Sequence, residues 1–159
     1  MLALQIARRL VIRYIGMFLL LIPCTVTDVR TRLVPVWFAG IFSACALLYH
    51  LLFTTSMLKE VVFGALMGLL FIGISRISRG ALGMGDAILI LSLGIWCGLQ
   101  DSFTVILFAF ILSGLFGGIV LLVRKKKRQE TLPFVPFLLL SEVISFAVEM
   151  AQGGLVSPG

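Results

Sequence analysis

Along the chain, apolar residues come in long blocks separated by short polar breaks, a pattern that points to membrane-crossing helices rather than to the half-polar helices of a water-soluble fold. Six blocks approach the roughly 20 residues that a helix needs to cross the hydrocarbon core. The first runs from about Leu10 to Thr27 and stops at Asp28-Val29-Arg30-Thr31-Arg32; Pro35 marks the restart into the second, Val36 to Phe53. The polar stretch Thr54 to Glu60 precedes the third, Val61 to about Ile74, which ends at Arg76-Ile77-Ser78-Arg79. Gly80-Ala81-Leu82-Gly83-Met84-Gly85-Asp86 leads into the fourth, Ala87 to Leu99, and Gln100-Asp101 divides it from the fifth, Phe103 to Val123. Arg124-Lys125-Lys126-Lys127-Arg128 closes the fifth. The sixth opens near Leu132, with Pro133 and Pro136 in its first turns where proline is tolerated, and fades at Met150. The expected fold is all-α: a polytopic integral membrane protein with about six transmembrane helices in one compact bundle over residues 14–150. Residues 1–13 are expected to form an interfacial N-terminal segment, and residues 151–159 a frayed tail.

Composition agrees with this pattern. Of 159 residues, 60% are hydrophobic and 13% charged, whereas soluble domains are about half apolar and a quarter charged. A soluble core of this size could not hide so much apolar surface. Cys24, Cys45 and Cys97 all fall in apolar runs without C-x-x-C or zinc-site spacing, so they read as reduced packing residues, and no metal or cofactor is expected. Arg8-Arg9 imitates a signal sequence and Leu21-Ile22-Pro23-Cys24 a lipoprotein box; Pro23 stands where cleavage wants a small residue, so the segment is expected to be retained.

The formal charge is +6, and its placement decides what it means. If the first helix exits into the cytoplasm, the inner loops hold Arg30, Arg32, Arg76, Arg79 and residues 124–128, nine of the thirteen basic residues. The positive-inside rule then puts both termini outside, against the mild counter-pull of Arg8, Arg9 and Arg13. The lysine-rich run is a topology anchor on this reading, and nucleic acid is not an expected partner. Asp28 and Asp86 fall on the same cytoplasmic face.

The fourth block is short. Its 13 residues make about 20 Å of helix, and filling roughly 30 Å requires a start near Leu82 or Ala81, which recesses Asp86 below the headgroup boundary. Ionisable groups inside a membrane are functional candidates. If Asp28 and Asp86 approach each other, like charges in a low dielectric cannot both ionise, and the pair holds a single proton. Such a pair can hydrolyse a peptide: the ionised carboxylate takes a proton from water while the protonated one polarises the scissile carbonyl. Gly83 and Gly85 are expected to supply backbone angles closed to other residues and close approach of a substrate strand. The plainer readings are a loop ion pair of Asp28 with Arg30 or Arg32, and Asp86 as a helix N-cap. Gly64/Gly68, Gly94/Gly98 and Gly114/Gly118 are spaced for close helix approach.

These residues resemble those of the type IV prepilin peptidases, the GxGD membrane aspartyl proteases. Asp28-Val-Arg-Thr-Arg-Leu-Val-Pro35 resembles the first-aspartate block, with Arg30 two residues after the acid and the aliphatic-proline pair ending at Pro35. Gly83-Met-Gly-Asp86 matches the GxGD block, and Leu132-Pro-Phe-Val-Pro-Phe137 resembles the opening of the last helix. The likeness covers roughly residues 15–150. It implies an aspartic endopeptidase that cuts the short basic cytoplasmic leader of prepilin-like membrane proteins, with Asp28 and Asp86 as catalytic pair and Gly83, Gly85, Arg30 and Pro35 as supporting motif. The implied setting is the inner membrane, with the site facing the cytoplasm. Val36 replaces the asparagine usual after the proline, and Ile88 a common lysine. Only Val29 to Val34 lies between Asp28 and Pro35, so no cysteine-rich methyltransferase insert and no zinc are expected.

Those two departures leave a non-catalytic scaffold of the same fold as an alternative, and Glu142, near mid-membrane, leaves a small transporter as another. Glu142 reads as structural, Glu149 as reaching water, His50 as an interfacial residue on the side away from the dyad, and Trp37 and Trp96 as interfacial or packing aromatics. Nothing in the sequence fixes an oligomeric state.

Overall fold

The computed structural model describes residues 2–53, 58–78, 82–124 and 133–155. Among these the chain forms six helices and no strand: α1 (Leu2–Thr31), α2 (Val36–Phe53), α3 (Leu58–Ile77), α4 (Met84–Cys97), α5 (Leu99–Arg124) and α6 (Val135–Leu155). Four contain spans long and apolar enough to cross a membrane: Val11–Thr31, Val36–Phe53, Leu58–Ile77 and Leu99–Val120. The protein is a helical membrane protein. Its outer surface explains the composition, because leucine and phenylalanine side chains such as Leu48, Leu52, Leu66, Leu70, Phe103 and Leu115 are exposed on α2, α3 and α5. In water such a surface would be an aggregation liability; against lipid tails it is the solvated face.

The helix ends differ from the sequence reading in ways that matter. α1 is continuous from Leu2, with no break at residue 13 to set off an N-terminal segment, and it runs past Thr27 to Thr31 through Pro23. Thr27 Oγ1 donates to the carbonyls of Pro23 and Cys24. Asp28 therefore stands inside the last turn of a helix and not in a loop. α6 continues beyond Met150 to Leu155, and residues 156–159 of the expected tail lie outside the described residues. So do Gly80, Ala81, Leu132 and Lys125 to Arg128.

α4 is the hub, packing against α1, α2, α3 and α5. At 14 residues it is about 21 Å long, shorter than a full crossing. The expected start near Ala81 or Leu82 is not realised: Gly83 is the N-cap, in extended conformation, and α4 begins at Met84. The far end is set by Gly98, whose φ of 80° is a left-handed conformation natural to glycine and whose N–H donates to Gly94 O at 3.0 Å. The break thus falls at Gly98, before the expected Gln100-Asp101, and Asp101 lies in the first turn of α5.

Side chains of α1 (Met17, Leu20, Leu21), α4 (Leu89, Ile90, Leu93), α5 (Val105, Ile106, Ala109) and α6 (Val135, Leu138) make one continuous core. Two of the three glycine pairs serve it. A Cβ on Gly64 would run into the Gly94 carbonyl, one on Gly94 into that of Gly64, and one on Gly68 into the Leu91 backbone, so α3 and α4 touch backbone to backbone. Gly114 and Gly118 have nothing within 4 Å and make no such contact.

Candidate active site

Asp28 is 5% exposed, and α6 is what holds it. The first amides of a helix lack intrahelical acceptors and carry the positive end of its dipole. At the start of α6 the free Val135 N–H donates to Asp28 Oδ2 at 3.1 Å. The Phe134 carbonyl accepts from Phe137 and Leu138 and closes the first turn there. A carboxylate in the last turn of α1 is thereby fixed by a helix that begins more than a hundred residues later.

After Asp28 the chain turns sharply. Arg32 N–H donates to Asp28 O at 2.9 Å, and Arg32 adopts a φ of 55°, the left-handed position just past a helix end that glycine usually takes. Pro35 then supplies the carbonyl that receives the Phe38 and Ala39 amides at the start of α2. Val34, between them, is laid against α4.

Asp86 is half-buried in the first turn of α4. The reading of it as an N-cap does not hold, since Gly83 occupies that position without a side-chain cap hydrogen bond. The Asp86 carboxylate folds back over Gly83 instead, so that a Cβ added at Gly83 would stand 2.8 Å from Oδ2. The other glycine of the motif acts through space in the same way: a Cβ on Gly85 would stand 2.7 Å from Val34 Cβ and 3.1 Å from Cγ2. Gly83 has a φ of −60° and Gly85 is helical, so the expected unusual backbone angles are absent. These glycines make room. One clears a place for the acid and the other lets the α1–α2 turn close onto α4.

The result is a cleft of about 600 Å³ lined by both Asp28 and Asp86, together with Arg32, Val34, Gly83, Gly85 and Phe134 among others. All three stretches singled out in the sequence meet here, because Pro133 and Phe134 form part of the wall. Of the expected supporting residues, Gly83 and Gly85 line the cleft, Pro35 sits beside it as the α2 start, and Arg30 is exposed and outside it. The arginine of the cleft is Arg32, and among the described residues no ion pair joins Asp28 to either arginine. Ile88 packs against the core and is not among the residues that line the cleft.

The opposite end of the bundle carries a second polar cluster that sequence reasoning missed. Arg13 on α1 pairs with Asp101 of α5 and, through Nη2, with both carboxylate oxygens of Glu149 of α6 at 3.0 Å. Tyr14 Oη donates to Glu149 at 2.8 Å, and Trp96 Nε1 donates to Arg13 O at 2.8 Å. Glu149 is therefore engaged and not simply reaching water, and Arg13, which weighed against an outer N-terminus, is neutralised where it stands. Partners so far apart in sequence leave no spacing signal. His50 is also at this end, away from the aspartates; it is buried, with Nε2 3.3 Å from the Trp96 carbonyl. Trp37 is exposed.

The model of the type IV leader peptidase family matches residues 15–120, from the middle of α1 to α5, with both aspartates inside the match. A prepilin leader peptidase/N-methyltransferase of Xanthomonas campestris pv. campestris is 31% identical over 68 residues, which are 43% of this chain and 24% of that protein. The chain thus matches about a quarter of that relative's length. No solved structure matches. The family match spans well over half of the chain, and the protein belongs to the type IV leader peptidase family.

Proposed function

We propose that the protein is a membrane aspartic endopeptidase that removes the short basic leader of prepilin-like membrane proteins. The observation that carries this reading is that Asp28 and Asp86, from α1 and α4, line one cleft at one end of the bundle. The family and the prepilin peptidase relative support the substrate class.

In the proposed reaction the two carboxyls share one proton. The ionised member takes a proton from a water in the cleft as that water attacks the scissile carbonyl carbon. The protonated member donates to the carbonyl oxygen. The gem-diol intermediate then collapses: one hydroxyl returns its proton to the second carboxylate as the carbonyl re-forms, and the leaving amine departs with the proton held by the first carboxyl. The Val135 amide and the Gly83 clearance fix the two acids before substrate arrives, and such positioning is worth orders of magnitude in rate. Asp28 and Asp86 would be catalytic, with Gly83, Gly85 and Pro35 as positioning residues; Arg30, exposed, would meet the substrate only from outside the cleft.

Charge placement supports a cytoplasmic orientation for this cleft in the inner membrane, since Arg30 and Arg32 at the end of α1 and Arg76 in the last turn of α3 lie at its end. A leader arriving from the cytoplasm would reach the dyad while the hydrophobic helix of the substrate remains in lipid. Co-expression with a prepilin-type substrate tests the reading through the mass shift on leader loss. Wild type is expected to cleave, and Asp28→Asn and Asp86→Asn are each expected not to. Absence of cleavage by wild type would favour a non-catalytic scaffold.

A further inference from the structure

The end of the bundle away from the aspartate pair holds a cavity of about 230 Å³ between α1, α4, α5 and α6. Arg13, Asp101 and Glu149 stand on its wall, and Glu142 reaches it from the middle of α6. Glu142 is 2% exposed, and its Oε2 has no hydrogen-bond partner among the described residues. It lies two turns from Glu149, about 10 Å deeper along α6. The rest of the wall is mostly apolar, with Val105, Phe108, Ile144 and Val148 prominent, and Tyr14, Thr104 and Ser145 add hydroxyl groups.

We propose that this cavity is a binding site for an organic ammonium, which seats its charge on Glu142 and its carbon body against Phe108 and Val148. Asp101 and Glu149 already hold the one guanidinium there, and Glu142 Oε2, deeper in the cavity, is left without a partner among the described residues. The unmet demand is for a cation with N–H donors, because a desolvated carboxylate is costly unless a donor or a charge satisfies it. Among the described residues no three metal-ligating side chains converge, which favours an ammonium over a metal ion. The mostly apolar wall around Phe108, Ile144 and Val148 fits an alkyl or aryl chain better than a bare hydrated ion. Phe108 and Val148 are also exposed on the outer face of the bundle, so the same ammonium could come from a free amine or from the headgroup of an aminophospholipid. The site is separated from the aspartate cleft by the core around Leu20, Leu89, Ile90 and Leu138, so the inference stands independently of the peptidase reading.

The test uses the purified full chain in detergent and in nanodiscs, with phenethylamine, the neutral isostere 2-phenylethanol, and phosphatidylethanolamine against phosphatidylcholine. Calorimetry should show saturable binding of phenethylamine and none of 2-phenylethanol. Glu142→Gln should weaken it by roughly tenfold to a hundredfold, the range for losing a charged hydrogen bond. Val148→Trp keeps Glu142 but fills the cavity and should abolish binding, which covers the case in which the glutamine variant does not fold. Native mass spectrometry showing phosphatidylethanolamine retained over phosphatidylcholine, and displaced by phenethylamine, would assign the lipid source; amine binding without lipid retention would assign the free amine. Equal binding of the alcohol, no saturable binding of any probe, or unchanged affinity in both variants would overturn the proposal.

Discussion

Replacing Gly85 with alanine probes the contact that brings the two acids together. The new Cβ would stand 2.7 Å from Val34 Cβ and 3.1 Å from its Cγ2, whereas carbon atoms rest about 3.5–4.0 Å apart. The α1–α2 turn must then retreat by roughly 1 Å, because a Cβ carried by the backbone cannot swing aside. That turn follows Asp28 directly, while Asp86 is fixed in the first turn of α4, so the retreat widens the cleft between them. A misplacement of about 1 Å costs about a hundredfold in rate, while overpacking costs about 1–3 kcal/mol of stability. Gly85→Ala is therefore expected to cleave a prepilin-type substrate about a hundredfold more slowly by kcat while remaining folded, with unfolding a few degrees lower. Val34→Gly removes the atom struck, so the double variant Gly85→Ala, Val34→Gly should recover most of the rate. Full activity in Gly85→Ala, or no recovery in the double variant, would refute the packing role of Gly85.

Other substitutions separate the contributions of the remaining elements. Gly64→Ala drives a methyl group into the Gly94 carbonyl and is expected to destabilise by about 3 kcal/mol or more, whereas Gly114→Ala meets open space and should leave thermal unfolding unchanged. Arg13→Gln leaves Asp101 and Glu149 without their cation; with both acids more than a third exposed, the loss should fall at about 1–3 kcal/mol in denaturant unfolding, between the values for surface and buried pairs. Arg32→Gly relieves a left-handed φ and is expected to raise stability by about 1 kcal/mol, visible as a higher unfolding midpoint.

The membrane class and the order of helices were legible because lipid exposure writes itself as uninterrupted apolar runs; α2 was read to its ends. That Asp28 and Asp86 fall at one end of the bundle was legible through charge, since the basic residues that follow α1 and close α3 put both acids on one side. Helix ends were less so. α1 runs through Thr27 because hydroxyl and carboxyl side chains are tolerated in a last turn, and α4 is short because Gly83 caps it and the aspartate cleft takes up the depth it leaves. The glycines of the motif were assigned to backbone freedom, yet Gly83 and Gly85 keep ordinary angles and serve by lacking a side chain. The grip of Val135 on Asp28 and the joining of Arg13 to Asp101 and Glu149 depend on helices packed far apart in sequence, where periodicity carries no signal.

The central claim is that Asp28 and Asp86 act together on the peptide bond. Its most direct test is kcat for cleavage of a prepilin-type substrate in lipid nanodiscs by wild type, Asp28→Asn and Asp86→Asn, with thermal unfolding measured alongside. Asparagine keeps the shape of each side chain, and at position 28 it still offers an oxygen to the Val135 amide, so both variants should unfold close to wild type. Each should lose about 10²–10⁴-fold or more in kcat, the range for removing a general acid or base. Cleavage at near wild-type rate by either folded variant would contradict the claim.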